Sequence, residues 1–265
     1  MTQTLDPSTL LAVYDEQLRM WQPDPPPHGT VIERDGPLLR VMEPGQRGFV
    51  GYQDLGERSG AEIDALIARQ RDFFASRGQG VEWKLHGHDE PGDLPERLRA
   101  AGFEPEEQET VVIGLAAPLA ARAQVPSGVR LEEVTDRAGL DRVVAMEEAV
   151  WNANKTHLGV GLAGEIAADP AGITVLVAIA DDTVVSAGWI RYVRGTSFAT
   201  LWGGSTLPAY RGRGIYTALV CRRAALAVAR GFDFLQVDAS DESRPILERL
   251  GFVAVTTTTP WVHTP

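Results

Sequence analysis

Cysteine is almost absent: Cys221 is the only one in 265 residues, which excludes an internal disulfide and a cysteine-rich metal site. Positive charge is also short. A net charge of −11, from 25 Lys and Arg against 36 Asp and Glu, argues against a nucleic-acid surface, which needs clustered basic side chains. No apolar run approaches the roughly 18 residues that cross a bilayer. The acids Asp6, Asp15 and Glu16 near the start are unlike a signal peptide. A cytoplasmic protein with neither nucleic-acid nor membrane partners is therefore expected. His86, His88 and Asp89 are closely spaced but have no further ligand beside them, so they read as a polar loop and no metal is expected. What is present is ample core material: 44% of residues are hydrophobic and 23% charged, over a length that suits one large or two ordinary domains.

The charge is unevenly spread. The first 125 residues carry 12 basic and 21 acidic side chains, and residues 126–265 carry 13 and 15. The second half is thus the better host for an anionic ligand. The halves join in a stretch of small residues and prolines over 116–128. Beyond it, alternation predicts a strand over 129–134, and Thr135-Asp136 caps a helix that runs to about Trp151. Strands over 173–180, 184–193 and 198–206, turned by Asp181-Asp182 and Gly195-Thr196, make an antiparallel meander. An Ala-rich helix over 215–230 stops at Gly231. A strand over 234–237, a helix over 243–250 and closing strands over 252–255 and 261–262 complete the half.

Between the meander and the Ala-rich helix lies Ala209-Tyr210-Arg211-Gly212-Arg213-Gly214-Ile215. Its glycines let the main chain approach an anion, the helix start supplies unpaired N–H groups and a positive dipole end, and two arginines add charge. Such a turn binds phosphate. A Walker A loop is excluded because Ile215-Tyr216 stand where Lys-Ser/Thr is needed. A dinucleotide fingerprint fits poorly, since Thr217 takes the third glycine's place and no crossover to a ribose-binding acid follows.

The remaining pattern is Arg-x-x-Gly-x-Gly/Ala after a strand and a proline, which this chain spells as Thr206-Leu207-Pro208-Ala209-Tyr210-Arg211-Gly212-Arg213-Gly214-Ile215-Tyr216. It resembles the pyrophosphate loop of the GCN5-related N-acetyltransferases, with Tyr216 in place of the usual small residue. The element order over 129–263 is similar to that family's, as is the ending Leu247-Glu248-Arg249-Leu250-Gly251-Phe252. The resemblance implies an α+β fold, a mixed and mostly antiparallel twisted sheet flanked by helices. It implies acetyl-CoA as co-substrate and direct transfer of acetyl from its thioester to a primary amine of a small molecule or of a peptide amino terminus. It also implies where the cofactor lies: pantetheine along the backbone of Gly204, Ser205 and Thr206, and pyrophosphate on the N–H groups of Gly212, Arg213, Gly214, Ile215, Tyr216 and Thr217. Arg211 stands beside these, and Ser243 contacts the pantetheine arm or caps its helix.

The first half carries a fainter copy of the second. A helix ends at Phe73-Phe74-Ala75-Ser76-Arg77-Gly78, a strand covers Val81 to Leu85, and a helix from Leu94 ends in Gly102-Phe103. Residues 228–231, 234–237 and 246–252 repeat that order. Thr30 to Glu33, Leu38 to Met42 and Gly48 to Tyr52 would be its meander. The matching loop, Gln53 to Gly60, lacks the glycine spacing and holds two acids, which repel pyrophosphate. The chain thus reads as two related domains in tandem: a degenerate acetyltransferase-like domain over 1–118, a linker over 119–128, and an acetyl-CoA-binding domain over 129–265. One CoA per chain is expected, and a homodimer is left open.

Catalytic residues are not assigned. Many family members protonate the leaving thiolate with a tyrosine where this chain has Leu247. Tyr216, Ser243 and water are candidates for that role. Glu147, with Glu148 beside it, and Asp238 are candidates for the base, and a water chain is an alternative. His157 reads as a lone loop histidine. The alternative to an enzyme is a catalytically silent acyl-CoA-binding module with a regulatory or assembly role.

Overall fold

The structure, a computed structural model, describes residues 6–24, 26 and 29–265. These residues form an α+β fold in two compact units, which do not follow a single cut in the chain.

The first unit takes the chain up to Val112, with Asp238–Arg244 and Ala254–Pro265. Its helix α1 (Pro7–Gln17) starts on Asp6, whose carboxylate accepts from the Thr9 N–H at 3.0 Å. The strands β1 (Val31–Asp35), β2 (Leu38–Met42) and β3 (Gly48–Gly51) form an antiparallel meander. Helix α2 (Gly60–Ala75) crosses to β4 (Val81–His86), which pairs parallel with β3. Then come α3 (Leu94–Ala100), the short β5 (Glu104–Pro105) and β6 (Glu109–Leu115). Alternating Val81, Trp83 and Leu85 of β4 meet Ile63, Leu66, Ile67 and Phe74 of α2, spaced to line one helix face, so each element buries the side its period dictates. Each such side chain contributes about 1.5–3 kcal/mol by leaving water.

The second unit comprises Ile113–Val237 and Pro245–Val253. Helix α4 (Ala116–Ala120) occupies the start of the small-residue stretch. The strand β7 (Arg130–Val134) is followed by α5 (Arg137–Trp151) and α6 (Thr156–Ala168). The strands β8 (Ile173–Ala180), β9 (Thr183–Tyr192) and β10 (Phe198–Thr206) form the expected meander, with β7 antiparallel to β8. Helix α7 (Ile215–Ala229) leads to β11 (Phe234–Ala239), parallel to β10, and then α8 (Arg244–Leu250). Every residue of β8 is buried, because Ile173, Val175, Val177 and Ile179 pack in the cluster with α5 and α6 while Leu176, Ala178 and Ala180 pack with α7. Burial on both faces explains its unbroken apolar run.

Two local readings are corrected. Residues 156–168 are helical, so His157 lies in α6 and is exposed, not in a loop. Three glycines, 159, 161 and 164, lower the helix signal, and Leu162 packing in the core with Leu140 and Val143 of α5 outweighs them. The closing strands are one strand, β12 (Val253–His263), whose threonine run suits an extended backbone. It pairs antiparallel with β4, Thr258 to His263 against His86 to Val81, and this return brings Ala254–Pro265 into the first unit.

Helix α2 opens with a capping box: the Ser59 hydroxyl accepts from the Glu62 N–H, and the Glu62 carboxylate accepts from the Ser59 N–H at 2.8 Å. Replacing Ser59 by Ala is expected to lower stability by about 1 kcal/mol, read as a shift in the urea unfolding midpoint.

Candidate functional site

The two strands ahead of and behind α7 part company. β10 and β11 pair only over Phe198–Thr200 and Phe234–Gln236, while β10 continues to Thr206. Its other edge pairs with β9, with a register shift between Gly203 and Ser205 that leaves Gly204 without a ladder partner. This is a β-bulge, built on Gly203 at φ 67° and Gly204 at φ 97°, a backbone region open to glycine.

Two side chains of α7 support the bulge. Arg223 is 1% exposed, and its Nη1 donates to the carbonyls of Trp189 at 3.2 Å and Trp202 at 3.1 Å. Burial brings its pKa down to about 10, which leaves it cationic at neutral pH. Tyr216 fills the space that Gly204 leaves: a Cβ at Gly204 would lie 2.7 Å from Tyr216 Cε2. The tyrosine that departs from the family's small residue is therefore matched to a glycine across from it. Among the described residues its hydroxyl makes no hydrogen bond, and burial raises its pKa.

After β10 a 3₁₀ turn, Pro208–Tyr210, leads into the glycine loop. Gly212 and Gly214 have φ 73° and 78°, and no atom lies within 4 Å of a Cβ position at Gly212. Gly214 is the N-cap of α7 and no side chain among the described residues caps the helix, so its first-turn N–H groups and dipole are available to an anion. Arg211 Nε donates to the Thr206 carbonyl at 3.1 Å and ties the loop to the end of β10. Arg213 stacks over Tyr210 at 4.9 Å.

The first unit is furnished differently at the equivalent places. The start of α2 is closed by its own capping box. Beyond β3, Arg19 donates to the Tyr52 carbonyl at 2.9 Å and pairs with Asp89, which also accepts from the Tyr52 hydroxyl.

Glu147 and Ser205 come together in the second unit. Glu147 on α5 is 4% exposed. Its Oε2 accepts from Ser205 Oγ at 2.9 Å and from Trp151 Nε1, one helical turn on, at 2.9 Å. Trp151 Nε1 also lies 3.1 Å from Ser205 Oγ, and among the described residues Glu147 Oε1 is buried with no partner. Burial raises the Glu147 pKa and outweighs the lowering by Ser205, Trp151 and the charge of Lys155. Ser205 follows the bulge, so the one-residue shift in β10 sets the register in which its hydroxyl meets α5.

The other candidates go elsewhere. Glu148 accepts from the Lys155 N–H at 3.0 Å. Asp238, in the first unit, forms an ion pair with Lys84 at 2.6 Å. Ser243 is grouped with the first unit and closes a turn onto the Ser240 carbonyl at 3.3 Å. His86 is not in a loop: it ends β4, is buried, and meets the Tyr14 hydroxyl at 3.0 Å, with its pKa driven to about 2, first by burial and then by Arg19. His88 contacts Asp15 and Thr256, and among the described residues no cluster of His, Cys, Asp and Glu could hold a metal. Sequence reasoning missed Arg223 and Trp151. Their signals were an arginine in an Ala-rich helix and an indole four residues after an acid.

A meander, a strand that leaves its parallel neighbour and a glycine turn opening an uncapped helix are the marks of the N-acyltransferase fold. Residues 140–252 match the acetyltransferase (GNAT) family, and this part of the chain is a GNAT domain. No curated protein matches the chain. Among solved structures, the chain is similar to a GCN5-related N-acetyltransferase from Kribbella flavida, at 15% identity and TM-score 0.66, covering 98% of this chain and 94% of that one. It is similar to a tandem GNAT protein from the clavulanic acid biosynthesis pathway, at 16% identity and TM-score 0.64, over 89% and 84% of the two chains. It is similar also to a GCN5-related N-acetyltransferase from Sphaerobacter thermophilus, at 14% identity and TM-score 0.61, over 87% and 81%. At these identities the likeness is one of fold.

The bulge makes a prediction of its own. Gly204→Ala adds a Cβ against Tyr216 and a left-handed alanine, expected to cost about 1–2 kcal/mol from the backbone alone, read by thermal unfolding. Tyr216→Phe keeps the ring and is expected to retain stability in the same assay.

Proposed function

We propose that the chain is an acetyl-CoA-dependent N-acetyltransferase that moves acetyl directly to a primary amine, and that the second unit holds its one cofactor site. The observation that carries this reading is the uncapped, glycine-led start of α7 directly after a β10 edge that has left β11. The residues fit the cofactor: Gly212 and Gly214 leave the main chain bare toward an anion, Arg211 and Arg213 offset its charge, and the backbone of Gly204 to Thr206 offers an edge to an amide chain. Acetyl-CoA supplies the activated acetyl thioester.

Glu147 and Ser205 handle the amine proton. As the amine nitrogen bonds to the acetyl carbon and the carbon–sulfur bond breaks, Ser205 Oγ takes the amine's proton and passes its own to Glu147 Oε2. The thiolate takes a proton from water. This assignment suits a buried base: burial raises the Glu147 pKa and so strengthens it as an acceptor at the cost of needing a higher pH to ionise. Tyr216 is read as packing, and Ser243 as a turn former. The first unit is read as a degenerate partner domain in a tandem chain, because its matching helix start and strand end are already hydrogen-bonded within the unit. One observation favours the silent-module reading: Leu247 is fully buried where many family members carry the acid.

Titration calorimetry with acetyl-CoA is expected to give one site per chain, and Gly214→Glu is expected to abolish binding by setting a carboxylate against phosphate. Two sites, or unchanged affinity in the variant, would refute the placement. With thiol release as the readout, Glu147→Gln and Ser205→Ala are expected to lower kcat by about a hundredfold with little change in the KM for acetyl-CoA. The rate should rise with pH to a plateau, with its acid limb above the ordinary carboxylate range and absent in Glu147→Gln. Cofactor binding without thiol release across a broad amine panel would select the silent module.

A further inference from the structure

The second unit sets a cation near the indole that touches the proposed base. Lys155 Nζ lies 5.6 Å from the centre of the Trp151 ring, and Trp151 Nε1 is bonded to both Glu147 and Ser205. Among the described residues Lys155 makes no ion pair, and its charge is felt at the Glu147 carboxylate. Arg191 is not available in the same way, since Glu165 holds it with two bonds of 2.6 and 2.7 Å. Glu148 is occupied by the Lys155 N–H. A carboxylate and an ammonium that makes no ion pair among the described residues thus lie around one indole.

The same unit leaves two large indoles exposed. Trp151 is 59% exposed and Trp202, three residues before Ser205 on β10, is 46% exposed. Trp202 carries the Arg191 guanidinium over its ring at 4.7 Å, which fixes the indole as a platform.

On the acetyl-transfer reading above, we infer that the acceptor is an α-amino acid with an aromatic or apolar side chain. Its amine meets Ser205 and Glu147, its carboxylate meets Lys155, and its side chain lies on the exposed indoles. A zwitterion matches the opposite signs of Glu147 and Lys155. A bare amine leaves Lys155 without a partner, and a polycation is repelled by it. A charge-assisted bond to carboxylate is the strong kind of polar contact, so removing the carboxylate should be costly.

The test compares three acceptors that share one side chain, L-tryptophan, L-tryptophan amide and tryptamine, with acetyl-CoA and the full chain, following thiol release and identifying the product by mass. L-Tryptophan is expected to exceed the other two in kcat/KM by about tenfold or more. Lys155→Ala should erase that preference through the KM for L-tryptophan, while Lys155→Arg should retain most of it. Tryptamine or the amide equalling L-tryptophan, a preference that survives Lys155→Ala, or turnover confined to amines outside this set would overturn the inference and leave acetyl transfer standing. Absence of thiol release with these and with every amine of a broad panel, while acetyl-CoA still binds, would instead overturn the acetyl-transfer reading.

Discussion

A buried guanidinium organises the second unit. Placing Arg223 inside the protein costs several kcal/mol unless its donors find partners; its Nη1 donates to carbonyls of β9 and β10 and its Nε to Leu219 of its own helix. Gly188 makes the room, since a Cβ there would sit 2.9 Å from Arg223 Nη1 and 3.2 Å from the Gly204 nitrogen. With the two strands pinned from the α7 side, the bulge at Gly203 and Gly204 has a fixed place. The register of Ser205 against Glu147 and the seat of Tyr216 both follow from it.

The same topology carries opposite electrostatics in the two units. In the second, the helix after the meander starts on glycine and keeps its N–H groups free of side chains. In the first, Ser59 and Glu62 satisfy them, and the Glu62 carboxylate puts negative charge where an anion would sit. Tyr14, Arg19, Tyr52, His86 and Asp89 then form a continuous polar cluster around the ends of β3 and β4. A place that in one unit is open to a ligand is in the other consumed by the protein's own groups, and a neutral buried His86 is part of the result.

The strands of the meander and the helix after the loop were legible because each repeats a period over enough residues. β8 is apolar throughout, β10 ends in a proline turn, and α7 has alanine-rich helical spacing. Helix α6 was not legible, because glycine masks helical preference and only packing on α5 restores it. The run from Thr256 to Pro260 hid a single strand for a related reason: a proline inside a strand argues against it until the partner strand is known, and β4 supplies that partner. Tyr216 looked like a departure from the family's loop, and Gly204, twelve residues earlier, removes the conflict.

The amino-acid sequence by itself determined the glycine loop, the meander before it and the helix it opens, since these depend on local backbone preference and on one period at a time. It also placed an acid at Glu147 and a hydroxyl at Ser205, with no sign that they meet. Tertiary structure alone decided that meeting, the burial of Arg223 and the approach of Lys155 to Trp151, because each depends on groups from different elements that only the packing of helices on the sheet brings together.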